Sequence, residues 1–131
     1  MAQQPIEMIL MRQLAGNLAM PIFVVDTNGA LVYFNLPAEE ILGQRFDETG
    51  ELSWDEWRNA FRPTDRDGNP LPLDDLPLSG VIIHRRPMQR SIWISGFDGV
   101  RRYLSVTGFP LVDQSGADLG SVALLWEADE P

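Results

Sequence analysis

Two short dipeptides restrict this chain more than anything else in it. Asn28-Gly29 lies between the β-branched and aromatic runs at 22–25 and 30–34. Asp98-Gly99 lies between similar runs at 90–97 and 101–112. Such pairs supply the positive φ values that tight turns demand, so each joins two antiparallel neighbours. A polar stretch at 113–118, with Gly116, then leads to a last strand at 119–127. Three consecutive strands with short connections form a meander. The expectation is an α+β fold: a five-stranded antiparallel sheet, with short helices inserted between the second and third strands, plus an N-terminal amphipathic helix.

That first helix is read at 4–20. Ile6, Leu10, Leu14 and Leu18 recur every four residues, with Ile9 beside them. The stripe needs a cover, either the parent domain or a second copy of the helix, so these five residues are the candidate dimer interface. Pro21 ends the segment. Asn35 stands where the second strand stops and can cap a short helix at 37–42, which Gly43 closes. Ser53 and Glu56 have capping-box spacing, and Trp54, Trp57 and Phe61 give the helix that follows one apolar face. Pro63 stops it, and Asp67-Gly68, Pro70 and Pro72 mark a loop. A further helix is expected at 73–84, with Leu76, Gly80 and Ile83 on one side. The domain reading is a cap or dimerisation helix at 1–20, one domain at 21–127 and a tail at 128–131.

Composition removes several chemistries. The chain has no cysteine, which excludes disulfides, thiolate catalysis and cysteine-ligated metals. All ten basic residues are arginine, so there is no lysine nucleophile or phosphate-loop lysine. The formal charge of -9 argues against nucleic acid. No apolar stretch approaches the roughly 20 residues that span a bilayer, and the polar opening residues do not read as a secretory leader. No glycine-rich phosphate cradle is present. Asp65-Arg66-Asp67-Gly68-Asn69 imitates the start of a calcium loop, but Leu76 stands where the bidentate Glu belongs. The only histidine, His84, sits at a helix end beside Arg85 and Arg86. No catalytic set and no metal site emerges, and the chain reads as a cytoplasmic protein that is not an enzyme.

The ordered segments resemble a PAS domain over about residues 20–127. Pro21-Ile22-Phe23-Val24-Val25-Asp26 with Asn28-Gly29, then Asn35, Ala38-Glu39 and Leu42-Gly43, follow that family's opening pattern. Asp67-Gly68-Asn69-Pro70-Leu71-Pro72 and Leu76-Pro77-Leu78 resemble a subgroup found in bacterial sensor proteins. Asp98 to Leu104, Gly108-Phe109-Pro110-Leu111 and Leu119-Gly120-Ser121-Val122 match the last three strands. One departure is Glu127-Ala128-Asp129, where such domains often carry an Asp-Ile-Thr-like triplet.

The resemblance implies a sensory or regulatory module that takes a small molecule or partner and relays the signal to an output domain, protein or dimer mate. The alternative is a ligand-free homodimerisation or scaffolding module. No cofactor is assigned. A cysteine-linked chromophore is excluded and flavin is disfavoured; haem is disfavoured because His84 falls several residues late for an axial ligand. What remains is a cavity between sheet and helices for an apolar small molecule. Ile92, Ile94, Trp93, Tyr103, Leu124 and His84 are its candidate lining residues. Strand alternation leaves open which sheet face is inward, since both faces carry apolar groups and both need covering. Arg85, Arg86, Arg90, Arg101 and Arg102 are a candidate patch for an anion or an acidic partner.

Overall fold

The computed structural model describes residues 6–72, 76–95 and 98–129. Its elements run α1 (Ile6–Asn17), β1 (Ile22–Val25), β2 (Leu31–Phe34), α2 (Leu36–Leu42), α3 (Phe46–Thr49), α4 (Trp54–Phe61), α5 (Pro77–His84), β3 (Met88–Ser95), β4 (Arg101–Val112) and β5 (Asp118–Glu127). The five strands form one sheet in the order β2-β1-β5-β4-β3, and every neighbouring pair is antiparallel. The expected α+β architecture is therefore present. The last strand occupies the centre, beside the first.

The strand registers separate two cores. On the inner face Phe23 opposes Ala123, Ile92 opposes Leu104 and Val106 opposes Leu125. These residues pack with Phe34, Ile41, Leu42, Trp57, Phe61 and Leu76 beneath α2, α4 and α5. On the outer face Val24 opposes Val122 and Phe109 opposes Val122 from the other side. There Met8, Met11, Leu18 and Met20 join Ile22, Val24, Val32 and Val122. The sheet is thus apolar on both faces and covered on both.

Asn35 joins the two layers. It is 2% exposed and caps α2. Its Oδ1 accepts from the N–H of Ile22 at 3.1 Å and of Ala38 at 3.1 Å, and its Nδ2 donates to the Met20 carbonyl at 2.9 Å. One side chain therefore fixes the entry to β1, the start of α2 and the segment arriving from α1.

The helices follow from local chemistry. Both bonds of the Ser53–Glu56 capping box are present and start α4. Trp57 Nε1 donates to the Gly29 carbonyl at 2.8 Å, which seats α4 on the β1–β2 turn. Helix α5 lies flat on β4 at Gly108, where a Cβ would come 3.0 Å from the Pro77 carbonyl oxygen. That close approach sets the rotation of α5. Pro77 and Val81 face the sheet, and Ile83, expected on the buried side, is 52% exposed. Residues 73–75, the expected start of this helix, lie outside the described residues.

Three connections use the same five-residue turn. In each of Asp26–Ala30, Asp65–Asn69 and Asp113–Ala117, the aspartate Oδ1 accepts from the N–H groups two and four residues on. Its own N–H donates to the carbonyl four residues on. The calcium-like stretch at Asp65 is such a turn. Bonding from the Asn69 N–H chiefly holds the Asp65 carboxyl below the usual carboxylate range. For Asp113 the Ser115 hydroxyl contributes most, then the Ala117 N–H.

Two outcomes follow. Asn35→Ala removes the acceptor of two buried N–H groups and should cost about 2–4 kcal/mol, read as a lower urea midpoint at unchanged slope. The lowered carboxyl pKa values of Asp65 and Asp113 add stability that is complete above about pH 4 and is lost as pH falls through the folded values. The urea midpoint should drop on acidification, and Asp113→Asn should flatten that dependence. An unchanged pH profile in the variant would count against the turn.

Candidate functional site

Between the inner sheet face and helices α4 and α5 lies a cavity of about 40 Å³. Helix α4 contributes Trp57 and Phe61, one turn apart on its buried face. The indole bond to Gly29 fixes Trp57, and the Phe61 ring meets Phe23 edge-on at 5.1 Å. The head of α5 supplies Leu76 and Pro77, and the sheet supplies Ile92, Ile94, Val106, Ala123 and Leu125. No polar side chain lines it.

An apolar wall without donors or acceptors gives water no partners and offers only dispersion and burial to a guest. One water needs about 10–15 Å³ by this kind of volume, whereas pockets for drug-sized ligands run to roughly 300–1,000 Å³. The cavity as it stands admits a few non-hydrogen atoms.

Of the six candidate lining residues, Ile92 and Ile94 border this space. Trp93 and Tyr103 oppose each other on the outer face, and Leu124 packs in the outer core. They stand apart from the cavity because their strand parity points the other way. His84 ends α5, exposed, and does not line the cavity. The residues that sequence reasoning passed over are Trp57, Phe61, Val106, Ala123 and Leu125. The spacing of Trp57 and Phe61 on a capped helix was their available signal.

The arginines do not converge. Arg85 and Arg86 follow α5 at the start of β3, where Met88 opposes Gly108. Arg101 and Arg102 oppose Ser95 and Ile94 at its far end, roughly 20 Å away at about 3.3 Å per residue. Arg101 lies over the Trp93 ring at 4.7 Å and donates to Thr64 Oγ1 at 3.1 Å. Arg102 donates to the Ile41 carbonyl at 3.3 Å and faces Asp98 at 3.6 Å. These two props tie the β3–β4 hairpin to its neighbours.

Helix α1 lies on the outer face through Met8 and Met11. Its opposite side carries Ile6, Ile9, Leu10 and Leu14, which are 62%, 42%, 55% and 52% exposed. Leu18, the fifth residue of the expected stripe, lies beyond the helix and packs in the outer core. Among the described residues no group of His, Asp or Glu could hold a metal ion, and no helix is long and apolar enough to cross a membrane.

Ile92→Ala enlarges the cavity and should cost about 2–4 kcal/mol. The enlarged space should take up xenon or benzene, seen as ligand-dependent stabilisation that the parent chain shows more weakly. Equal responses in both proteins would contradict an apolar cavity at this position.

A family model described as a PAS domain matches residues 10–76. No curated protein sequence matches the chain. Among solved structures, it is similar to the PAS domain of BvgS from Bordetella pertussis, with a TM-score of 0.61 and 18% identity over 95% of this chain and 87% of that one. The LOV protein of Rhodobacter sphaeroides gives a TM-score of 0.73 and 13% identity, covering 96% and 70%. The PAS domain of nitrogen regulation protein NR(II) from Vibrio parahaemolyticus gives 0.64 and 16%, covering 91% and 98%. At these identities the structural likeness speaks for the fold. The family match runs from within α1 through α4 to the residue before α5, over half the chain, and includes the Asn35 cap. The chain belongs to the PAS domain family.

Proposed function

We propose that this chain is a sensory module that relays its signal through protein contacts, with the free side of α1 pairing two copies of the chain. PAS domains are sensory signalling modules. The observation that carries this reading is the exposure of Ile6, Ile9, Leu10 and Leu14 on one side of a helix whose other side is buried. Fully burying a Leu or Ile side chain gains about 1.5–3 kcal/mol, so four such residues supply a useful interface nucleus. The output partner is a protein or a neighbouring domain, and the setting is the cytoplasm. No catalytic step is assigned to the module.

Strand β5 offers the route between signal and contact. Ala123 and Leu125 line the cavity, while Val122 and Leu124 lie under the α1 layer. A small apolar guest that favours one spacing of sheet and helices would shift β5, and α1 with it. Such a relay works only to the extent that the guest binds two packings unequally.

The small cavity favours a second reading, a homodimerisation module that needs no ligand. Native mass spectrometry separates the two: a co-purified molecule supports the sensor, and a bare dimer supports the scaffold.

Leu10→Asp should convert a dimer into a monomer in sedimentation experiments. Its unfolding midpoint should stay close to that of the parent measured at dilution, because Leu10 lies outside both cores. A parent chain that remains monomeric at about 0.1 mM would remove the dimer reading.

A further inference from the structure

A groove of about 560 Å³ lies beside α4, on neither the α1 stripe nor the inner sheet face. It is lined by Arg58, Asn59, Arg62 and Thr64, whose side chains carry hydrogen-bond donors, and by the apolar Pro63, Pro70 and Leu71. Its size is that of an organic small-molecule site.

The donors stand on ordered backbone. Arg58 and Asn59 belong to α4, whose start the capping box fixes. Arg62 closes α4 in the left-handed conformation (φ 48°), its N–H donating to the Arg58 carbonyl at 3.0 Å. Thr64 is bonded to the edge of the sheet: its N–H donates to the Trp93 carbonyl at 3.0 Å, and its carbonyl accepts from the Trp93 N–H at 3.2 Å.

No carboxylate side chain lines the groove. In a chain with 19 acids and 10 bases, Arg58 and Arg62 are ion-paired to no carboxylate among the described residues. Thr64 Oγ1 already accepts from the Arg101 guanidinium, so its own hydrogen is free to donate onward. The lining thus includes two arginines, an asparagine and a threonine whose hydroxyl is already bonded to Arg101.

We propose that this groove binds a phosphate ester, with its phosphoryl group between Arg58 and Arg62 and its organic part against Pro63, Pro70 and Leu71. The three terminal oxygens of a phosphoryl group match this many donors better than the two oxygens of a carboxylate. Two charges oppose the ligand. The C-terminal end of α4 carries about half a negative charge, which two full guanidinium charges outweigh. The net charge of -9 acts at longer range, and at physiological salt the screening length of about 8 Å leaves the local arginines in control. Pro63 borders both this groove and the apolar cavity, so an occupant of one touches a wall of the other.

The test is a titration of the ¹⁵N-labelled full chain with phenyl phosphate, inorganic phosphate and phenol, following the amide signals of residues 58–64 and of Leu71. Phenyl phosphate should saturate at about 1 mM or below, inorganic phosphate several-fold more weakly, and phenol should leave the signals in place. Arg58→Gln and Arg62→Gln should each weaken phenyl phosphate roughly tenfold or more while the remaining spectrum is unchanged. If Arg62→Gln disturbs the turn, Arg58→Gln alone decides, because no hydrogen bond of its side chain supports the fold among the described residues. No saturation by about 10 mM, phenol or inorganic phosphate binding as well as the ester, or undiminished binding by Arg58→Gln would overturn the proposal.

Discussion

The amide of Asn35 is the knot on which both layers of this domain depend. Its oxygen satisfies the N–H that opens β1 and the N–H that opens α2, and its nitrogen holds the carbonyl of Met20. Each partner belongs to a different part of the molecule: the sheet, the inner helices and the approach from the outer helix. An amide serves here because it offers an acceptor and donors on one short, rigid fork. Hydrophobic burial drives the layers together but says little about their registry. A directional bond set inside the protein, where water cannot compete, supplies the registry.

Given that anchor, the remaining architecture is a sheet used on both sides. Its central strand, β5, gives alternate residues to two separate apolar clusters. The inner cluster is aromatic and tight, with Phe23, Trp57 and Phe61 in edge-on contact. The outer cluster relies on Met8, Met11 and Met20, whose unbranched side chains fill irregular gaps. The two faces of the sheet are therefore packed by side chains of different kinds, aromatic rings within and unbranched methionines without.

Local rules made much of this legible. The hairpins at Asn28-Gly29 and Asp98-Gly99, the capping box at Ser53–Glu56 and the Asn35 cap each follow from neighbouring residues alone, and each is where it was expected. The centre position of β5 was not legible, because no short-range signal says that the first strand pairs with the last. Strand alternation also failed to choose an inner face, since Ile92 and Trp93 are both apolar and both are covered. Periodicity in α1 marked its leucines and isoleucines, yet the sheet takes Met8 and Met11 and leaves the stronger stripe outside. The groove beside α4 escaped notice because Arg58, Asn59, Arg62 and Thr64 follow no binding motif, and only the fold brings Pro70 and Leu71 against them.

The order of strands in space also governs how the molecule is made. Strand β5 is synthesised last but must be inserted between β1 and β4, with Ile22 opposite Leu124 about a hundred residues along the chain. Until that segment leaves the ribosome, the nascent chain has two half-sheets with unsatisfied inner edges and nothing to zip them together. Closing so long a loop costs entropy before any contact repays it, which slows the final step. During that interval the raw edges of β1 and β4 invite pairing with strangers, so the domain's exposure to aggregation is greatest before β5 takes its place.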